Sequence, residues 1–448
     1  MNTVCETATI PVYVINLPER TDRKAHILEQ FAPYREFAPV ITAACRHERG
    51  ATGLWNSICN IVATAVEKEE DVIIICEDDH QFTEHYTAGS ITAAIAEARK
   101  LNADVLLGGA SWFYDILQVN ERFFWTKNFT GTQFVVLFRE TFTPILEADL
   151  TEQETADKKL CQLFDNILLM YPFISIQQEF GYSDATDANN KEGRVLELFR
   201  NAMEGIDRLR SIGAHYRNLP PPEDELPDLY SITIPTYVIN LPERTERLAH
   251  ITQQFENRPE FDVTIIEACR HEVGALGLFQ SMRKIIELAM ERDDDVIIIC
   301  EDDHEFTPDY SREYLLKNII EAHYQGVDIL SGGSGKIDQA VPVTENRYWV
   351  ALCLSTQFIV VYRSFFQRIL DEPFDRTVIA DQLFSTMTGN KMVLYPFVSQ
   401  QKDFGYSDVT PVHNERQGLV QRMFAETAAR LDVIRQVYTH YQSGAHLI

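Results

Sequence analysis

Three adjacent carboxylates occur twice in this chain, as Glu77-Asp78-Asp79 and Glu301-Asp302-Asp303, each directly after the apolar run Val-Ile-Ile-Ile-Cys. Like charges this close repel unless they are solvated, protonated or neutralised by a cation. Hard oxygen donors suit Mg2+ or Mn2+, which also bind diphosphate oxygens and act there as Lewis acids. A solvated acidic turn is the plainer alternative. The apolar strand before each triplet and its exact repetition favour metal binding. His80 and His304 come next in sequence, as a further ligand or as surface histidines with a raised pKa.

A second segment suits an anion. Asn16-Leu17-Pro18-Glu19-Arg20-Thr21-Asp22-Arg23 leads from an apolar run into a helical one, and Asn240 to Arg247 is its counterpart. Helix N-termini flanked by Arg bind phosphates, although a capping turn with solvated Arg reads the same way. With the triplet present, Arg20 and Arg244 become expected nucleotide contacts.

These pairs belong to a duplication. YVINLPERT begins at Tyr13 and at Tyr237, DVIIICEDDH at Asp71 and at Asp295, and FGYSD at Phe180 and at Phe404, always 224 residues apart. Such a period means two whole domains, not a solenoid. The expected division is 1–217 and 231–448, joined by a Pro-rich, acidic linker at 218–230. Outside the shared motifs the copies diverge, and 112–120 has almost nothing in common with 336–344.

In the first copy, strands are expected at Ile10–Asn16, Pro39–Ala43, Val72–Cys76, Ala103–Leu107 and Phe134–Phe138. Helices are expected at Thr21–Phe31, Thr52–Lys68, Ser90–Lys100 and Lys191–Tyr216. Alternating strands and helices imply an α/β fold with a largely parallel sheet. Ligands of such sheets bind at the carboxyl ends of the strands, which is where Asn16 and the Glu77 triplet fall.

The chain has 448 residues and a net charge of -27. That balance disfavours nucleic acid and anionic lipid as partners. Its eight cysteines form no C-x-x-C pair, as expected of reduced thiols. With no signal-like start and no apolar stretch of membrane-spanning length, a cytoplasmic protein without a membrane span is expected.

The motifs resemble glycosyltransferase family 25, which includes lipooligosaccharide and collagen galactosyltransferases. The likeness rests on I-N-L-x-x-R-x-x-R (Ile15 to Arg23, Ile239 to Arg247), G-x-x-x-S (Gly53 to Ser57, Gly277 to Ser281) and a strand ending in E-D-D (Val72 to Asp79, Val296 to Asp303). It implies two tandem GT-A-type, Rossmann-like domains. It also implies a nucleotide-sugar donor such as UDP-galactose, a glycan, lipid-linked or peptide acceptor, Mn2+ or Mg2+, inversion at the anomeric carbon and a place in glycan biosynthesis such as lipopolysaccharide synthesis. Carried over by position, Asp79 and Asp303 bind the metal, and Asp78 and Asp302 support the ribose or the metal. Asn16, Arg20, Arg23 and Glu77, with Asn240, Arg244, Arg247 and Glu301, contact the donor. The family usually reads G-C-x-x-S-H, whereas Leu54 and Ile58, and Leu278 and Met282, stand here. His47 and His271 are candidates to substitute for that missing His.

Inverting transfer needs a carboxylate to take the acceptor's proton. Asp157 and Asp381 fit a D-x-x-[LF] helix start and are the expected bases, against the alternative that they only stabilise a helix dipole. Asp184 and Asp408 also qualify as bases, or else are distal metal or acceptor contacts or turn or cap residues, and His413, matched by Asn189, is a late metal-ligand candidate. Trp125 and Trp349 either stack on sugar or pack in the core, and Gln133 and Gln357 either bond a sugar or pair within the fold. Other functions remain open: one catalytic half beside a non-catalytic acceptor-binding half, a metal-dependent nucleotidyltransferase or phosphohydrolase, or a binding protein. Gly108-Gly109 and Gly332-Gly333 are too short for a phosphate loop.

Overall fold

The computed structural model describes residues 9–181, 191–220, 227–373, 380–405 and 418–442. It divides into two compact units, Met1–Arg210 with Tyr441–Ile448, and Ser211–His440. Asp184, Asn189, Asp408, His413 and part of the expected linker lie outside the described residues.

The first copy runs β1 (Ile10–Asn16), α1 (Thr21–Phe31), β2 (Phe37–Ala43), α2 (Gly50–Glu67), β3 (Val72–Glu77), β4 (His80–Phe82), α3 (Ser90–Lys100), β5 (Val105–Leu107), β6 (Trp112–Phe113), β7 (Ile116–Gln118), β8 (Phe123–Thr126), β9 (Phe129–Thr130), β10 (Phe134–Phe138), α4 (Phe142–Glu147), α5 (Ala156–Leu163), β11 (Ile167–Met170), β12 (Ser175–Gln177) and α6 (Arg194–Arg217). The elements expected at Ile10–Asn16, Thr21–Phe31, Ser90–Lys100 and Phe134–Phe138 form with those bounds. β3 runs one residue further than expected, so Glu77 is itself in the strand.

Eight strands form one sheet in the order β2-β1-β3-β10-β5-β11-β8-β7. Six point the same way, and β10 and β8 run against them. This is the largely parallel α/β, Rossmann-like sheet expected. The second copy repeats the strand order with its own eight strands. Ile73 to Cys76 and Ile297 to Cys300 are buried throughout, because helices cover both faces of a central strand. In the second copy one core cluster packs Tyr237, Ile297 and Ile359 beneath the helix Gly274–Glu291, through Phe279 and Ile285. Another packs Tyr348, Val393 and Phe397 beneath the helix Leu419–Gln442, through Phe424 and Leu431.

The topology also builds the crevice. β1 and β3 are parallel neighbours with Ile15 opposite Glu77, so the loop after Asn16 and the acidic triplet leave the sheet side by side. A two-stranded ribbon of β4 and β12 sets His80 opposite Gln177. A second ribbon pairs β6 with β9, Trp112 opposite Thr130 and Phe113 opposite Phe129. Gly108-Gly109 is a packing device: a Cβ on Gly109 would lie 2.1 Å from the Ser175 carbonyl oxygen.

Candidate active site

A cleft of about 880 Å3 opens at the carboxyl ends of β1, β2 and β3, within the range of small-molecule sites. Its wall includes Arg20, Arg23, His47, Glu77, Asp78, Asp79, Thr132, Asp157, Gln178 and Phe180. Residues from the anion-binding turn, the acidic triplet and the expected base therefore share one cavity.

The three carboxylates have different surroundings. Asp78 is buried; its Oδ2 accepts from Asn16 Nδ2 at 2.9 Å and its Oδ1 from Arg23 Nη1 at 3.1 Å. The same Nη1 donates to Asp79 Oδ2 at 3.1 Å. Asp302, Asn240, Arg247 and Asp303 repeat this at 2.9, 3.0 and 3.0 Å. Charge-assisted bonds of this kind tie the start of α1 and the end of β1 to the end of β3. Asn16 and Asn240, expected as donor contacts, are sealed below the wall. Their amides are committed to Asp78 and Asp302, because a buried carboxylate must have its lone pairs met. Asp78 and Arg23 are likewise first partners of each other.

Glu77 reaches the cleft from the last position of β3, and its Oε1 accepts from the Thr132 hydroxyl at 2.6 Å; Glu301 does so from Thr356 at 2.7 Å. Burial, then the Asp79 charge, pushes the Glu77 carboxyl up despite that bond. Burial also pushes Asp79 up against the pull of Arg23, and Glu301 and Asp303 follow the same pattern. Asp79 is 16 % exposed in its side chain. Its Oδ1 is nevertheless buried and has no hydrogen-bond partner among the described residues, and the same is true of Asp303 Oδ1. Unmet buried carboxylate oxygens are costly, and this one recurs in both copies.

Asp157 lies in the first turn of α5 and lines the cleft; its Oδ1 accepts from the Lys158 amide at 2.8 Å and from the Thr155 hydroxyl. Asp381 keeps the matching amide bond, from Gln382, at 2.8 Å. Arg20 lines the cleft beside the triplet, and Arg244 Nη1 stands 3.8 Å from Asp302 Oδ2. His47 is also on the wall, its Nδ1 accepting from the Arg49 amide at 3.1 Å.

Several alternatives are now decided. His80 and His304 are fully buried, neither surface residues nor facing the cleft. Nδ1 of His80 meets Ser175 Oγ at 2.7 Å, and its ring packs on Phe82 and Phe134. The backbone turns at Asp78 and Asp79 between β3 and β4, and across that turn Asp79 lines the cleft while His80 enters the core. Burial drives the His80 pKa down to about 3, so its ring is neutral. Trp125 and Trp349 are core residues whose indole N–H groups donate to the carbonyls of Asp165 and Gly389. Gln133 and Gln357 pair inside the fold, with Gly109 and Gly333.

The G-x-x-x-S segment is structural. A Cβ on Gly53 would lie 2.5 Å from the Cys45 carbonyl oxygen, and Ser57 Oγ accepts from the Cys45 amide at 2.8 Å while donating to Gly53 at 2.7 Å. Gly277, Cys269 and Ser281 repeat the clamp. It presses α2 against the Cys45–His47 wall. Sequence reading also missed Thr132, Gln177 at the end of β12 and its neighbour Gln178, although Thr132 and Gln177 have identical counterparts 224 residues on.

The sites differ in detail. Lys402 replaces Gln178 and Ser355 replaces Gly131. Ser355 keeps a positive φ of 151° that glycine adopts more readily. In the second copy Gln401 Nε2 also donates to Asp303 Oδ2 at 2.9 Å.

Among the described residues no group of three or more His, Cys, Asp or Glu side chains forms a ready metal cage, and no helix is long and apolar enough to cross a membrane. All seven described cysteines are free. No protein-family model and no curated protein matches the chain. Among solved structures, A197 from STIV is 13% identical, covering 40% of this chain and 87% of its own, with a TM-score of 0.29. UDP-glucose pyrophosphorylase complexed with UDP-glucose is 8% identical, with 45% and 81% coverage and a TM-score of 0.26. The mannosyltransferase PcManGT from Pyrobaculum calidifontis, in complex with GDP-Man and Mn2+, is 14% identical, with 42% and 65% coverage and a TM-score of 0.22.

Proposed function

We propose that this chain is a metal-dependent, inverting glycosyltransferase of the family 25 type, with a nucleotide-sugar site in each half and a UDP-hexose such as UDP-galactose as donor. One observation carries the reading: a buried, unpartnered carboxylate oxygen on Asp79, repeated on Asp303, beside a cleft whose wall also holds arginines and a further carboxylate.

The residues fit a divalent cation. Asp79 Oδ1 is an unused hard donor, although the Arg23 guanidinium bridges Asp78 and Asp79 through their other oxygens. Mg2+-type sites use one or two carboxylates and complete their shell with water and substrate phosphate. Asp79 and Asp303 would hold the ion, which when bound would neutralise charge on the departing nucleoside diphosphate. Arg20 is placed to meet a phosphate oxygen. Asp78 keeps Asn16 and Arg23 in register so that Asp79 cannot swing away. Asp157 stands free enough on the wall to receive a hydroxyl proton from the acceptor.

Donor hydrolysis with Mn2+ tests this on the wild type, Asp79→Asn, Asp303→Asn and the double variant. Loss in the double variant is expected, and full turnover there refutes the metal role. The differences at Ser355 and Lys402 favour a second reading, in which only the first half is catalytic. In that case Asp79→Asn alone abolishes turnover and Asp303→Asn leaves it intact.

A further inference from the structure

The β6–β9 ribbon carries a feature that the donor site does not use. Trp112 is 47% exposed, and its ring lies nearly parallel to that of Tyr114, with centroids 6.1 Å apart and planes 14° apart. Alternation along the strand puts Trp112 and Tyr114 on one face and Phe113 on the other. Phe113 and its partner Phe129 are buried, so that other face is the core side. Cross-strand partners share a face, so Trp112 is on the same side as Thr130, whose hydroxyl meets Ser111 Oγ at 2.9 Å. Ser111, Thr130 and Gly131 all line the cleft. The rings themselves stand outside the cleft lining, but Trp112 follows Ser111 and pairs with Thr130, so they adjoin that wall.

The second copy keeps the ribbon but not the rings. Lys336 pairs with Leu354 where Trp112 pairs with Thr130, and Asp338 stands in place of Tyr114. In the second copy the ribbon thus forms without aromatics at these two positions.

We infer that Trp112 and Tyr114 form a carbohydrate-binding platform that receives the acceptor sugar of the first copy, and that the second copy, with a charged face there, takes a different acceptor. The inference rests on the glycosyltransferase reading for the word acceptor. The chemistry is general: the C–H-rich face of a hexopyranose is apolar and slightly positive, and complements the negative face of an aromatic ring.

The test is an oligosaccharide array probed with the fluorescently labelled full chain in the presence of UDP and Mn2+, using wild type, Trp112→Phe, Trp112→Ala and the Trp112→Lys/Tyr114→Asp double variant. We expect the wild type and Trp112→Phe to bind a common set of glycans. Trp112→Ala should bind them about tenfold more weakly, at the upper end of what one aromatic contact supplies, and the double variant should lose them. No glycan bound by the wild type, or equal binding by wild type and Trp112→Ala, overturns the platform. Failure of the donor reading shows elsewhere, as a wild-type melting temperature that UDP with Mn2+ does not raise.

Discussion

Replacing Asp79 and Asp303 by Asn should make the metal-free protein more stable while removing its response to metal. Burial raises the Asp79 carboxyl from 3.8 to about 6, even with Arg23 lowering it. At about 1.4 kcal/mol for each pH unit, ionised Asp79 costs the fold at most about 3 kcal/mol at pH 7. Asn keeps the shape and can still accept from Arg23, so most of that cost is relieved. In a unit of this size about 1 kcal/mol moves the melting temperature by roughly 2–4 °C. The assay is scanning calorimetry in EDTA and then in Mn2+ with UDP. In EDTA the double variant should melt several degrees above the wild type. With ligand at about a hundred times Kd, the wild type should gain about 2.7 kcal/mol and the variant almost nothing, so the order narrows or inverts. A variant that melts lower in EDTA would refute the reasoning. It would show that the carboxylates serve as ion-pair partners for Arg23 and Arg247, with no unmet demand for a cation.

Three further outcomes follow from the same geometry. Glu77 and Glu301 are raised to about 8, so the native state holds their protons longer than the unfolded chain does and stability in EDTA should fall as pH rises from about 6.5 to 8; Asp79 and Asp303, raised only to about 6, lose theirs mostly below that window, and Mn2+ should flatten the trend in urea melts. His80 and His304 act oppositely, because burial lowers them, but their effect is confined to pH below about 6.5. Gly53→Ala should destabilise the first unit by about 1–3 kcal/mol, since its Cβ meets backbone and not a movable side chain; thermal melts of this variant and of Gly277→Ala check it. Asp157→Asn together with Asp381→Asn should leave nucleotide binding by calorimetry within about twofold while lowering transfer by about 10²–10⁴-fold.

Much of this was legible in the residues. The constant spacing of the shared motifs announced two domains, and continuous apolar runs such as Val72 to Cys76 bounded the central strands. The parallel alternation placed Asn16 and Glu77 at one edge, and the β1–β3 register bears that out. Side-chain direction was harder to read. Asn16 looks like a ligand contact because it ends a strand beside a crevice, yet it faces inward to Asp78. His80 sits beside three acids in sequence and on the opposite side of the backbone in space. Gly53 and Ser57 carry part of the family likeness, but only coordinates show the 2.5 Å approach that requires the glycine. The aromatic ribbon was hidden because β6 and β9 have two residues each, too few to show a period.

Arg23 also has a second neighbour. Its guanidinium carbon lies 4.9 Å from the centre of the Phe180 ring, and Arg247 stands at the same distance from Phe404. One cation is thus shared between two acids on one side and an aromatic face on the other. Any ligand that quenches the acids loosens the first grip and leaves the ring as the stronger remaining hold. The opening residue of each FGYSD motif is therefore wired to the charge state of the triplet, and occupancy at one end of the guanidinium is felt at the other.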